Sequence, residues 1–256
     1  MSASIWTQCG ATSNLRSLRA KPWRVVEAQH VASTLKLVSS LEEQRILEEV
    51  IDLQKPLLPK QLRRPRLHYL LFTPFRYPPL PHGSRFGTRA EPGIWYGADS
   101  LRAVFAEKAY YRFVFFSGTT ANLAPITLEQ TAFTAAVDSR SGVDLTVHPF
   151  DAFESRISSK IRYEDSQLLG REMRRDGVEV FRYRSARDLE GGSNLGIFTP
   201  KAFAQSKPSA FQTWICRADL KKVEFARKNV SQFSGPTFRF RRSEFEVEGS
   251  LPMPAV

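Results

Sequence analysis

Between Phe72 and Phe113 a Pro/Gly-rich loop passes into a short aromatic strand and then into a helix with a carboxylate on its apolar face. Ala103, Val104, Glu107, Tyr110 and Tyr111 recur at helical spacing and share one side of that helix. A solvated surface glutamate has no reason to stand among alanine, valine and tyrosine. Glu107 is therefore either paired inside the fold or used there, and whatever packs on this helix must supply its partner. The loop ahead of it holds two arginines, Arg76 and Arg85. The strand Gly93–Gly97 carries Trp95 and Tyr96 and ends at Asp99, the expected helix cap.

The remaining segments mix helix and strand without regular βαβ alternation. Trp23–Val26 reads as a short strand. Ser40 and Glu43 form a capping box for a helix that Pro56 stops, and its stripe of Leu47, Val50 and Ile51 predicts core packing. Residues 56–66 read as a Pro/Arg-rich loop, His68–Thr73 as a short apolar strand and Pro74–Pro81 as a rigid turn. Phe133–Val137 and Val143–Val147 read as strands joined by a hairpin-type connection at Asp138–Gly142. Tyr163–Asp176 is a helix with Leu168, Leu169 and Met173 inward, closed by Gly177. A strand at Val178–Tyr183 follows. From Phe211 to Val247 come three period-two segments, in one of which Phe238 and Phe240 alternate with Arg239 and Arg241. The expected class is α+β: a single domain with a mainly antiparallel sheet and flanking helices. A chain of 256 residues sits at the upper edge of what one core serves. Residues 1–22, polar and aperiodic, are expected to be a loose leader to a domain over 23–256.

A net charge of +11 raises nucleic acid as a partner. The positive residues are scattered, however, and no block of five or more like charges occurs, so no nucleic-acid-binding tail is expected. The same field favours a small phosphate-bearing substrate. Cys9 and Cys216 are far apart, which argues against a zinc ribbon or a disulfide scaffold and fits a reducing cytoplasm. His30, His68, His82 and His148 lack metal-ligand spacing, so no metal is expected. No apolar run approaches the ~20 residues of a membrane span, and none resembles a signal peptide. A soluble cytoplasmic protein is the expectation.

The glycines of GGSNLG at 191–196 have P-loop spacing, but Ile197 and Phe198 stand where such a loop needs Lys-Ser/Thr. Hydrolase elbows, His-Glu-x-x-His and kinase signatures are absent. What remains is GSRFG around Arg85, GIWYGAD around Tyr96, the helix around Glu107, and RSARDLEGGSNLGIF, which contains Ser185 and Asn194. In this order these motifs resemble the RES-domain family, the NAD-degrading toxins of RES–Xre toxin–antitoxin pairs. The resemblance covers about residues 68–200, with a looser likeness from Trp23. One departure is Arg184, where a proline often precedes the serine.

The resemblance implies a compact α+β fold similar to ADP-ribosyltransferases, with Arg85, Tyr96, Glu107 and Ser185 as the active-site positions. It implies NAD+ as substrate with no prosthetic group, an Xre-like antitoxin as protein partner, and nucleic acid reached only through that antitoxin. A homo-oligomer is left open. The chemistry is consistent: the leaving nicotinamide carries positive charge, and a carboxylate such as Glu107 can stabilise an oxocarbenium-like transition state. Arg85 and, secondarily, Arg76 have the forked geometry for phosphates. Tyr96 can pack on the nicotinamide or ribose, Ser185 can orient substrate, and Asn194 can complete ribose or phosphate contacts. The acceptor stays open: water makes a glycohydrolase, phosphate as co-substrate a phosphorylase, a protein side chain an ADP-ribosyltransferase. A basic nucleic-acid-binding module, supported by charge alone, is the alternative from another class.

Overall fold

The computed structural model describes residues 3–28, 37–56, 62, 64, 66–77, 79, 82–118, 121, 123–228 and 235–253. The elements open with α1 (Ile5–Gln8), β1 (Arg16–Ala20), β2 (Trp23–Glu27), α2 (Leu41–Gln54), α3 (Tyr69–Arg76), β3 (Trp95–Ala98) and α4 (Leu101–Ser117). They continue with β4 (Ile126–Thr134), β5 (Val137–Asp144), α5 (Glu154–Ile157), α6 (Glu164–Arg175), β6 (Val180–Arg184) and β7 (Ser193–Ile197). The last three are β8 (Ser209–Ala218), β9 (Lys222–Arg227) and β10 (Thr237–Arg241). The strands form one sheet in the order β1-β5-β6-β7-β3-β2-β4-β8-β9-β10. Only the β5–β6 pair is parallel; every other pair is antiparallel. This is the expected α+β class, a mainly antiparallel sheet with flanking helices.

Side-chain alternation divides the sheet into two faces. Pairing aligns Trp95 with Ile197 and Ile197 with Val180, and these join Leu71 and Phe75 of α3 in one apolar cluster. The opposite face carries two clusters. One packs α4 on β2, β4, β8, β9 and β10, and the other packs α1 and α6 on β5 and β6. Tyr96 on β3, Asn194 on β7 and Tyr183 on β6 follow one another on that second face, where the register sets Tyr96 opposite Gly196 and Tyr183 opposite Asn194. The two clusters meet there. Helix α4 is apolar nearly all round, with Phe105 stacked on Phe225 at 4.3 Å, so its axis is fixed against the sheet.

Several expectations are corrected. Residues 5–20 are not a loose leader: Ile5, Trp6 and Cys9 are buried against α6, and β1 pairs with β5. A single buried turn of helix is too short to leave a period in the sequence. His68–Thr73 is not a strand. His68 Nδ1 accepts from the Leu70 N–H and starts α3, which runs through Pro74. Proline at 74 leaves the Leu70 carbonyl without its helical donor, and the Trp95 indole N–H takes that place at 3.3 Å. Pro78, Leu80 and Pro81 of the expected turn lie outside the described residues, as does His30.

Asp138–Gly142 is not a hairpin connection but the interior of β5, which pairs with β1 and β6, while β4 pairs with β2 and β8. Its turn-type residues pair with β1, Gly142 pairs with β6 as well, and on that side Ser139 Oγ donates to Glu179 at 2.7 Å. The strand at Gly93–Gly97 is Trp95–Ala98, and Ser100 rather than Asp99 caps α4. In α2, Val50 is exposed and Leu47 and Ile51 are half-buried, so the helix lies on the surface with a narrow contact stripe. Leu168 of α6 also faces solvent.

The packed N-terminus has a measurable consequence. Trp6 is fully buried, donates to Asp176 Oδ2 at 2.7 Å and stacks on Phe150. Trp6→Ala should cost about 3–5 kcal/mol in chemical denaturation; an unchanged midpoint would return residues 1–22 to the status of a leader.

Candidate active site

Glu107 leaves α4 at the level of Asn194 and Ser185. Its Oε1 accepts two hydrogen bonds, from Asn194 Nδ2 at 2.9 Å and from Ser185 Oγ at 3.0 Å. Strand β7 supplies the first donor and the turn after β6 supplies the second. Ser185 Oγ also accepts from the N–H groups of Arg187 and Asp188, at 3.2 and 3.1 Å. Its one proton and both lone pairs are thereby committed. Ser185 caps the turn and orients Glu107 at once, an arrangement that suits a positioning residue and not a nucleophile. The substitution of arginine for proline at 184 leaves regular strand: Arg184 pairs with Ser193, and the Ser185 N–H reaches the Gly192 carbonyl at 2.8 Å.

Arg85 sits in a tight turn between Ser84 and Gly87, which exchange backbone hydrogen bonds. Gly83 enters the turn at φ +77°, where a side chain would be strained. Helix α6 pins the turn from outside. Ser166 Oγ donates to the Arg85 carbonyl at 2.6 Å and Gln167 Nε2 to the Ser84 carbonyl at 3.0 Å. Gly170 makes that approach feasible, since a Cβ there would lie 2.0 Å from the Phe86 carbonyl oxygen. From inside, the Tyr96 hydroxyl bonds Ser84 Oγ at 3.0 Å and accepts from the Phe86 N–H at 3.3 Å. Burial pushes the Tyr96 hydroxyl up to about 12, so it holds the turn as a neutral group. The Arg85 guanidinium gives Nη1 to the Ser159 carbonyl at 2.7 Å and lies over Tyr163 at 4.7 Å. The carboxylates nearest in sequence go elsewhere, Glu91 to Arg171 and Asp99 to Arg182.

These groups enclose a cavity of about 230 Å³ lined by Arg85, Tyr96, Glu107, Tyr163, Tyr183 and Asn194, with Ser84, Val104, Lys108 and Tyr111 among its other walls. Burial first, and the Glu107 charge after it, keep the Tyr183 hydroxyl protonated well beyond its ordinary range. Of the six site residues read from the sequence, Arg85, Tyr96, Glu107 and Asn194 line the cavity, and Ser185 stands behind Glu107. Arg76 is not brought there: it ends α3 with its guanidinium over Phe72, and it is absent from the cavity walls. Sequence reasoning missed Tyr163, Tyr183 and Lys108. Tyr183 was legible as the strand residue beside the Arg184–Ser185 motif; Lys108 carries no such signal, because a lysine beside an inward helix position reads as surface. A larger groove of about 820 Å³, with Lys221, Lys222, Arg239 and Arg241 in its walls, involves none of these residues. Among the described residues no group of three or more His, Cys, Asp or Glu is placed to hold a metal ion, and no helix is long and apolar enough to cross a membrane.

Lys108 is a cavity group with a testable titration. Burial, then the nearby Arg112, lower its ammonium from the ordinary 10.5 to about 8. Between these two values the unfolded chain binds the proton that the folded chain has lost, so folding gains stability as the pH rises through that window. Lys108→Met should therefore melt above the unsubstituted chain at pH 7, and the gap should close by about pH 10.5. A gap that stays constant across this range would mean that the ammonium is not desolvated.

The RES domain matches residues 60–219 of the chain. A chain of the crystal structure of the M. tuberculosis MbcT–MbcA toxin–antitoxin complex is similar at a TM-score of 0.45 and 13% identity, over 77% of this chain and 84% of that one. No curated protein matches the sequence. The RES match spans more than half of the chain, on the same segment that holds Arg85, Tyr96, Glu107, Ser185 and Asn194: the protein belongs to the RES-domain family.

Proposed function

We propose that this chain breaks the nicotinamide–ribose bond of NAD+ and acts as a cytoplasmic toxin held in check by a protein antitoxin. One observation carries the reading: a carboxylate, Glu107, fixed through a single oxygen by Asn194 and Ser185 in an aromatic cavity that also contains Arg85. A carboxylate already oriented in this way needs no reorganisation when positive charge develops on the ribose. The nicotinamide leaves without a strong general acid because its ring nitrogen is cationic in the substrate. Tyr96 and Tyr183 offer ring faces, and Arg85 offers a guanidinium to phosphate oxygens. Family membership supports NAD+ as the substrate and a toxin–antitoxin context.

The acceptor is water or phosphate. With Ser185 fully hydrogen-bonded, a covalent seryl intermediate is not part of the mechanism. The deciding experiment follows nicotinamide release from NAD+ by the purified, antitoxin-free chain, with and without inorganic phosphate. Release in buffer alone marks a glycohydrolase, and release that requires phosphate marks a phosphorylase. Folded protein that liberates no nicotinamide in either condition would refute the proposal. Glu107→Gln keeps an acceptor oxygen for Ser185 but removes the charge, so turnover should fall by about 10²-fold or more. Its melting temperature should shift little. Arg85→Ala should lose turnover and stability together, because its guanidinium also ties down the Ser159 carbonyl and covers Tyr163.

A further inference from the structure

Lys108 follows Glu107 on α4 and lines the same cavity, yet nothing in the reading above uses it. It is half-buried, and among the described residues its ammonium makes no hydrogen bond or ion pair. An ammonium offers three donors and hydrates strongly, so leaving it partly desolvated and unpaired is costly unless an anion comes to it. The neighbouring charges sharpen this. Arg112 and Arg24 both act on Lys108 to lower it, and the Glu27 carboxylate acts in the other direction. That carboxylate is already engaged by Arg112. With Arg24, Lys108 and Arg112 set against Glu27, the side of the cavity nearest β2 carries a net positive charge. Arg85 stands in a different setting, between the Ser159 carbonyl and the Tyr163 ring, with part of its donor capacity committed to the backbone.

We propose that Lys108 forms a second anion subsite of the cavity, on its β2 side, which takes a phosphate group. This rests on the reading of the chain as NAD+-cleaving. Within it two sources share the chemistry: the diphosphate of the dinucleotide itself, or free phosphate entering as acceptor. A compact ammonium on a flexible stem accommodates either. The subsite also explains why Arg76 is dispensable to the cavity: the second phosphate contact comes from α4 and not from the loop.

The test is calorimetric titration of inorganic diphosphate, and separately of inorganic phosphate, into the full chain and its variants. The unsubstituted chain should bind at least one of the two. Lys108→Arg should retain that binding, and Lys108→Met should weaken it by about tenfold or more, the worth of one charge-assisted hydrogen bond. Lys221→Met, which removes the same charge from the distant groove, should leave it unchanged. Tighter diphosphate binding assigns the subsite to the dinucleotide, and tighter phosphate binding assigns it to the acceptor. A chain that binds neither anion, or a Lys108→Met variant that binds both as before, overturns the subsite. Anion binding that depends on Lys108 in a chain that releases no nicotinamide would instead sink the NAD+ reading and leave the subsite standing.

Discussion

The constraint on which the rest of the site depends is the pair of hydrogen bonds that hold Glu107. A carboxylate on the inner side of a helix that packs phenylalanine on nearly every turn cannot be left without donors. The donors come from two directions, an amide on β7 and a hydroxyl in the turn after β6, and both meet the same oxygen. Three elements must therefore be in register before the carboxylate is satisfied: α4 on its bed of aromatic residues, β7 between β3 and β6, and the Ser185 turn closed by Gly192. Gly192 lets that turn pass under α4, since a Cβ there would approach Ala103 Cβ at 2.8 Å and the Asp188 carboxylate at 2.4 Å. The second carboxyl oxygen takes no part in this network among the described residues, which leaves it for a ligand in the cavity.

Arg85 is positioned by a different logic. Its turn is gripped from both sides, by Ser166 and Gln167 of α6 and by the Tyr96 hydroxyl. Tyr96 thus serves less through its hydroxyl toward a ligand than through its placement of the arginine turn, while its ring remains part of the wall. Phe86, fully buried between Phe181 and Tyr183, anchors the same turn into the apolar cluster on β6. Cluster and cavity are continuous, so the stability of the β6 region and the aim of Arg85 are one property.

Much of the site was legible because its residues violate local rules. Glu107 breaks the apolar stripe of a helix, and Ser185 and Asn194 frame a glycine-rich run that has P-loop spacing but Ile197 and Phe198 where such a loop needs Lys-Ser/Thr. The sheet class was legible from the absence of βαβ alternation, and β8 to β10 from period two. What failed did so where tertiary contacts outweigh local preference. Pro74 argued against helix, but the Trp95 indole replaces the donor that proline lacks. Asp138–Gly142 has turn composition, but pairing with β1, joined by β6 from Gly142 onward, keeps it extended. Arg76 and Arg85 look equivalent in sequence, and only Arg85 is in a turn that α6 and Tyr96 direct at the cavity. Lys108 was invisible because its neighbours in space, Arg112 apart, come from β2 and β8.

The size of the cavity limits what the chain can do with a dinucleotide. About 230 Å³ lies below the roughly 300–1,000 Å³ of ordinary small-molecule sites. Under the NAD+ reading proposed above, such a space would take the nicotinamide and its ribose, the part that reacts, and leave the adenosine half at the mouth. The charges agree with that division. In its lining stands one carboxylate, suited to a cationic ring and an oxocarbenium-like ribose, together with three cations, Arg24, Arg85 and Lys108. A substrate positive at its reacting end and negative a few bonds away meets the complementary pattern, whereas an all-anionic ligand such as nucleic acid would be repelled by Glu107 at the centre. Under the reading proposed above, the net charge of +11 favours the approach of phosphate-bearing molecules in general, and the one carboxylate in the cavity lining selects among them.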